Sequence, residues 1–94
     1  MDLPEVLKNI DIIRIFKEEP FSVIATSDIE ERLNLSHHPT FRRLKVLEDN
    51  SVLLKSKGGY ILNTKSEEVA EIMKFLVAME GMEATGKKKG RPEK

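Results

Sequence analysis

The sequence predicts a mainly α fold of the α+β class, in the order helix, strand, helix, helix, strand, strand, helix. Three observations carry this reading. Apolar residues recur at intervals of three and four near both ends of the chain. Asn34-Leu35-Ser36 separates two helical patterns with the chemistry of a tight turn. Gly58-Gly59 separates two short strand-like runs, a hairpin signal because both glycines accept positive φ.

Leu3, Val6, Leu7, Ile10 and Ile13 fall on one face of a first helix from Leu3 to Glu19, with Pro4 tolerated in its first turn. Ile12, Ile15 and Phe16 make its second half apolar nearly all round, so it needs cover from more than one side. Pro20 ends it, and the aromatic and β-branched run Phe21-Ser22-Val23-Ile24 reads as an edge strand. Ser27-Asp28-Ile29-Glu30 has the spacing of a capping box and opens a second helix, from about Asp28 to Leu33. Asn34 suits a left-handed backbone, Leu35 plugs the corner, and Ser36 is placed to cap a third helix.

In that third helix Pro39 lies in the first turn, Thr40, Leu44 and Leu47 form the core stripe, and Asn50 offers a left-handed stop. Val52 to Lys57 and Tyr60 to Asn63 are the two arms of the hairpin. Thr64-Lys65-Ser66-Glu67 reads as a second capping box, after which Val69, Ile72, Met73, Leu76 and Met79 repeat at helical spacing up to Gly81. From Met82 onward the chain turns glycine- and lysine-rich and is expected to be disordered in isolation. The expected division is a folded domain over 1–81 and a flexible basic tail over 82–94.

Ninety-four residues with 39% hydrophobic and 34% charged side chains suit one small domain plus a tail and exclude a large enclosed active site. No apolar run is long enough to span a bilayer. The acidic start Met1-Asp2-Leu3-Pro4-Glu5 lacks the marks of a signal peptide, so the expected location is the cytoplasm, in association with the nucleoid. Absence of cysteine excludes disulfides, zinc fingers and thiol chemistry. His37 and His38 are neighbours without a third ligand, so neither a metal nor another cofactor is expected. No nucleophile and base converge, and no phosphate loop is present; the chain is not read as an enzyme and has no evident small-molecule substrate.

Net charge is zero, but the charges are segregated. Residues 1–35 carry −4, residues 36–65 carry +4, residues 66–86 carry −4 and residues 87–94 carry +4. Two basic blocks between acidic ones give a folded chain one face that attracts a polyanion while others repel it.

This order of elements, with the segment Leu35-Ser36-His37-His38-Pro39-Thr40-Phe41-Arg42-Arg43-Leu44-Lys45-Val46-Leu47-Glu48-Asp49-Asn50, resembles the small winged helix-turn-helix transcription regulators of bacteria and archaea. Asn34 and Asn50 stand where glycines are common in that family, and asparagine is the next most permissive residue there. The resemblance implies a sequence-specific double-stranded DNA-binding regulator, a repressor, that inserts helix 36–49 into the major groove. The hairpin at 55–60 would be its basic wing.

On the outward face of that helix Ser36, His37, His38, Pro39, Arg42, Arg43 and Lys45 oppose the core stripe. The family's docking pattern makes His37, His38 and Arg42 the candidates for base edges, whereas Arg43 and Lys45 suit phosphates. Phe41 reads as a core-edge residue. Lys55 and Lys57, with Tyr60 alongside, are the wing's candidates for phosphate or minor-groove contact. Gly86-Lys87-Lys88-Lys89-Gly90-Arg91-Pro92 partly resembles an AT-hook, which implies minor-groove binding by Arg91 with Lys87, Lys88 and Lys89 on phosphates.

The last helix carries more apolar surface than a small domain needs. With the family's habits, this implies a homodimer built from the first and last helices through Ile12, Ile15, Phe16, Ile72, Phe75, Leu76 and Met79. Two other functions stay open on the sequence: a winged-helix protein-interaction module and an architectural, chromatin-like DNA binder.

Overall fold

Asn9 divides the N-terminal helical stretch into α1 (Leu3–Leu7) and α2 (Ile10–Glu18). Its side-chain Nδ2 donates to the Glu5 carbonyl at 3.0 Å, and its backbone N–H bonds Val6 instead of continuing the regular ladder. Asparagine competes in this way with helical backbone, and the single helix expected over residues 3–19 is therefore two. The computed structural model describes the backbone of residues 1–90 and the side chains of residues 1–81.

The chain continues with α3 (Thr26–Leu33), α4 (His37–Asp49), β1 (Leu53–Ser56), β2 (Gly59–Leu62) and α5 (Glu67–Gly90). Among the described residues, five helices and one two-stranded antiparallel sheet make an α+β chain dominated by helix. The expected edge strand over 21–24 contracts to one residue. A turn closed by Ser22 N–H on the Glu19 carbonyl occupies Pro20 and Phe21, leaving Ile24 to form an isolated bridge with Tyr60.

Neither expected capping box forms. α3 starts at Thr26 behind Ala25, whose carbonyl accepts from Asp28 and Ile29, so Ser27 lies inside the first turn. The chain leaves its bridge at Ile24 and enters the helix with one residue between, which leaves no room for a cap at Ser27. At α5 the capping residue is Ser66, whose Oγ accepts from Val69 N–H at 3.3 Å. Ser36 precedes α4 without a side-chain cap; there the Thr40 hydroxyl donates to the Ser36 carbonyl at 2.9 Å.

The helix ends are more regular. Asn34 takes φ 55°, while Leu35 N–H reaches back to Glu30 and Asn34 N–H to Glu31, the paired bonds of a Schellman motif. The same pair closes α4, with Val52 bonding Leu47 and Ser51 bonding Glu48. The left-handed residue there is Ser51, at φ 63°, and not the expected Asn50. Asn50 keeps a negative φ of −94°, its side-chain amide donating to the Val46 carbonyl and accepting from Asp2 N–H.

One core gathers all these elements. Val6, Ile12, Ile13, Phe16, Ile29, Leu44, Leu47, Val52, Leu53 and Leu76 are wholly buried, with Val69, Ile72 and Leu62 beside them. Leu53 pairs with Leu62 across the hairpin, so both strands turn an apolar side inward. The turn between the strands is Lys57-Gly58, one residue earlier than expected, with Ser56 paired to Gly59. Gly59 is held there because a Cβ on it would collide with the Ile24 backbone, which packs directly against it. α5 continues past Gly81, where the sequence pattern was expected to end it. Among the described residues no helix is long and apolar enough to cross a membrane.

Candidate nucleic-acid interface

α3 and α4 are joined by three residues, and the Schellman turn at Asn34 fixes the angle at which α4 leaves. Thr40, Leu44 and Leu47 then anchor α4 in the core. Its opposite face is set by the helical period: His37, His38, Phe41, Arg42, Lys45 and Asp49 are all exposed. Ser36 and Pro39 are exposed at its start.

The hairpin brings its turn to the same side. His37 and Phe41 of α4, Lys55 and Ser56 of β1, and Gly58 in the turn line one cleft of about 450 Å³. Lys57, at the tip of the hairpin, is exposed. On the other flank of α4, Pro39, Arg42 and Val46 line a second cleft with Lys8 and Asn9. α4 thus stands between two depressions, with exposed cations along its length.

Several side chains in this region have partners that the sequence did not disclose. His37 Nδ1 lies 2.7 Å from a Glu30 carboxylate oxygen on α3. The His37 ring also stacks on Phe41, with centroids 6.3 Å apart and 25° between planes. Lys45 sits 3.8 Å from Glu48 and 3.7 Å from Asp49 on the solvent side, an arrangement that water screens.

Two of the expected interface residues are structural. Arg43 turns away from the exposed stripe, donating through Nε to Asn9 Oδ1 at 2.7 Å and through its terminal nitrogen to Asp11. It clamps α4 to the break between α1 and α2, because its position lies between the exposed stripe and the core stripe. Tyr60 is only 3% exposed and belongs to the core, since it alternates with Leu62 on the inner side of β2. Lys55 covers its ring, with Nζ 5.6 Å from the centroid, and remains exposed itself.

Phe41 departs from expectation in the opposite direction. At 43% exposure it is part of the outer face, not the core edge. Its spacing of four from His37 was the available signal, since residues so spaced share a helical face. The Glu30 contact had no such signal, because it depends on the turn between α3 and α4.

On α3, Arg32 is held by Glu19 and Asp28, at 3.2 and 3.1 Å. The hydrogen bonds that Arg32 donates, first to Glu19 and then to Asp28, raise its pKa above the ordinary arginine value. The guanidinium is thereby matched by local carboxylates, and the positive surface is left to α4 and the hairpin.

The residues expected at a dimer interface divide. Ile12, Phe16 and Leu76 are wholly buried in the chain's own core, and Ile72 is nearly so; Ile15 packs against the same core. Ile12, Phe16 and Leu76 thus have nothing to offer a second copy, and Ile15 and Ile72 only an edge. Phe75 is exposed, and Met79 is half-buried. The Lys87, Lys88 and Lys89 side chains and all of Arg91 lie outside the described residues.

No protein-family model matches the chain, and neither a curated protein nor a solved structure matches it.

Proposed function

We propose that the chain is a double-stranded DNA-binding transcription regulator of the winged helix-turn-helix type. α4 enters the major groove, and the β1–β2 turn rests on the adjoining backbone as a wing. The observation that carries this is the shared cleft: side chains of α4 and of the hairpin line one depression, with Lys55 on its hairpin wall and Arg42 and Lys45 exposed elsewhere on α4. A helix fits the major groove, and a cationic strip beside it follows the phosphates.

Within that reading the roles separate. Arg42 is exposed and unburdened by the clamp that holds Arg43, so it is the side chain to grip a guanine through two hydrogen bonds. His37 and His38 face bases near the start of the helix. Lys45, Lys55 and Lys57 take phosphates, and the basic residues 87–91 add sequence-tolerant affinity. Occupation of a promoter would make the protein a repressor.

A homodimer belongs to the same proposal. Leu3, Leu7, Ile72 and Phe75 line an apolar groove of about 550 Å³ between α1 and α5, and a second copy would cover it. Two recognition helices about 34 Å apart would then meet a near-palindromic site.

The test is an anisotropy titration of labelled duplexes at several salt concentrations. The reading requires affinity to rise steeply as salt falls, with a selected sequence preferred over random duplex. Failure to bind any duplex at low salt would sink it.

A further inference from the structure

We propose that Phe41 reads the C5-methyl group of a thymine in the major groove. The inference rests on the DNA-binding reading and assigns a base to a side chain that the sequence pattern placed at the core edge.

Phe41 is the exposed large apolar residue of α4 among the described residues, at 43%. It is not a margin of the core stripe. It lies one turn after His37 and one turn before Lys45, next to Arg42, on the cationic face. Across the cleft it faces the hairpin, where Lys55 and Gly58 form the other wall. The water-facing part of the Phe41 ring is apolar surface that gains by being covered when the neighbouring cations meet a polyanion.

The chemistry of base edges then selects the ligand. In the major groove adenine, guanine and cytosine present hydrogen-bond donors and acceptors, which a phenyl ring cannot satisfy. Thymine adds the only apolar group, its C5-methyl. An apolar reader on this helix is therefore matched to thymine, and a 5-methylated cytosine offers the same methyl at the same position.

The ring is also held in place before any contact. His37 stacks on Phe41, and the His37 imidazole is itself anchored by Glu30 at 2.7 Å on α3. Glu30, His37 and Phe41 form a chain from the first helix of the pair to the outer face of the second. A ring held in one orientation loses less side-chain freedom on binding than an isolated one. His37 is in this sense a positioning residue for Phe41.

The experiment compares a duplex selected from a random pool by the full chain with the same duplex made with deoxyuridine in place of thymidine, which removes only the methyl groups. Binding is measured by anisotropy for the wild type, Phe41→Ala and Phe41→Leu, with circular dichroism melts to show that each is folded. The wild type should lose about three- to five-fold in affinity for each methyl that Phe41 covers. Phe41→Ala should bind both duplexes equally, and Phe41→Leu should keep part of the discrimination. Equal binding of both duplexes by the wild type overturns the proposal, as does discrimination that survives intact in Phe41→Ala. If no duplex is bound at low salt, the DNA-binding reading itself fails, an outcome distinct from both.

Discussion

Arg43 donates through Nε to Asn9 Oδ1, 2.7 Å away, at the point where the N-terminal helical stretch breaks. Asn9 is only 6% exposed, and its amide nitrogen is already bonded to the Glu5 carbonyl. Arg43 therefore completes a polar joint between α4 and the helices that cover the core from the N-terminal side. A cation that looks from its spacing like a phosphate contact is a fastener.

Replacing Arg43 by alanine should destabilise the fold by about 1–3 kcal/mol, because it leaves the side-chain Oδ1 of Asn9 without its donor. Arg43→Lys should recover only part of this, since one ammonium cannot reproduce the fork that reaches both Asn9 and Asp11. Urea unfolding followed by circular dichroism measures both. Unchanged stability with a large loss of DNA affinity would return Arg43 to the DNA-facing group.

Gly59→Ala should be more damaging than Gly58→Ala. A methyl at Gly59 would strike the Ile24 carbonyl and so part the bridge that joins Ile24 to Tyr60. At Gly58 the added methyl meets open space, although φ of 92° still strains it. The expected loss for Gly59→Ala is about 1–3 kcal/mol, seen as a fall in Tm of roughly 4–8 °C per kcal/mol for a domain of this size. The order of the two melting temperatures is the test.

These two sites mark the limit of what the sequence discloses. Periodicity was sufficient to find Thr40, Leu44 and Leu47 as the buried face of α4, and Val69, Ile72 and Leu76 on α5. It was sufficient too for the turn at Asn34, because few residues accept a left-handed backbone. It failed where a side chain is claimed by a residue far along the chain. Arg43 and Asn9 are 34 positions apart, and only the folded arrangement brings them together. Tyr60 was misread because its place beside Lys55 and Lys57 drew it to the wing, whereas its alternation with Leu62 put it on the inner side of β2. Phe41 was placed at the core edge although its spacing of four from His37 put it on the outer face, where it is exposed.

Phe75 and Leu76 give a paired test of the dimer. Phe75 is 52% exposed and lines the groove against α1, whereas Leu76 is wholly buried. Phe75→Glu should leave unfolding free energy of the monomeric domain within about 0.5 kcal/mol, while Leu76→Ala should lower it by about 2–5 kcal/mol. Light scattering at micromolar concentration should show a dimer for the wild type and a monomer for Phe75→Glu. A dimer that persists in Phe75→Glu would remove this face from the interface.

Arg42 and Lys57 should fail in different ways, and the difference separates a reader of sequence from a general holder of duplex. Arg42 is on the helix proposed to enter the groove, and neither neighbouring carboxylates nor the Asn9 joint engage Arg42 as they do Arg32 and Arg43. Arg42→Ala should weaken binding to a selected duplex by about 1–3 kcal/mol and relax the preference at one base pair. Lys57 is exposed at the tip of the hairpin, where on the proposed reading it would meet phosphates, which are the same in every sequence. Lys57→Ala should weaken selected and random duplexes alike and reduce the salt slope by about one. Anisotropy titrations of both variants on both duplexes, at three or more salt concentrations, resolve the two patterns. Equal losses from both variants on both duplexes would mean that α4 reads no base through Arg42, and the architectural reading would then replace that of a sequence-specific regulator.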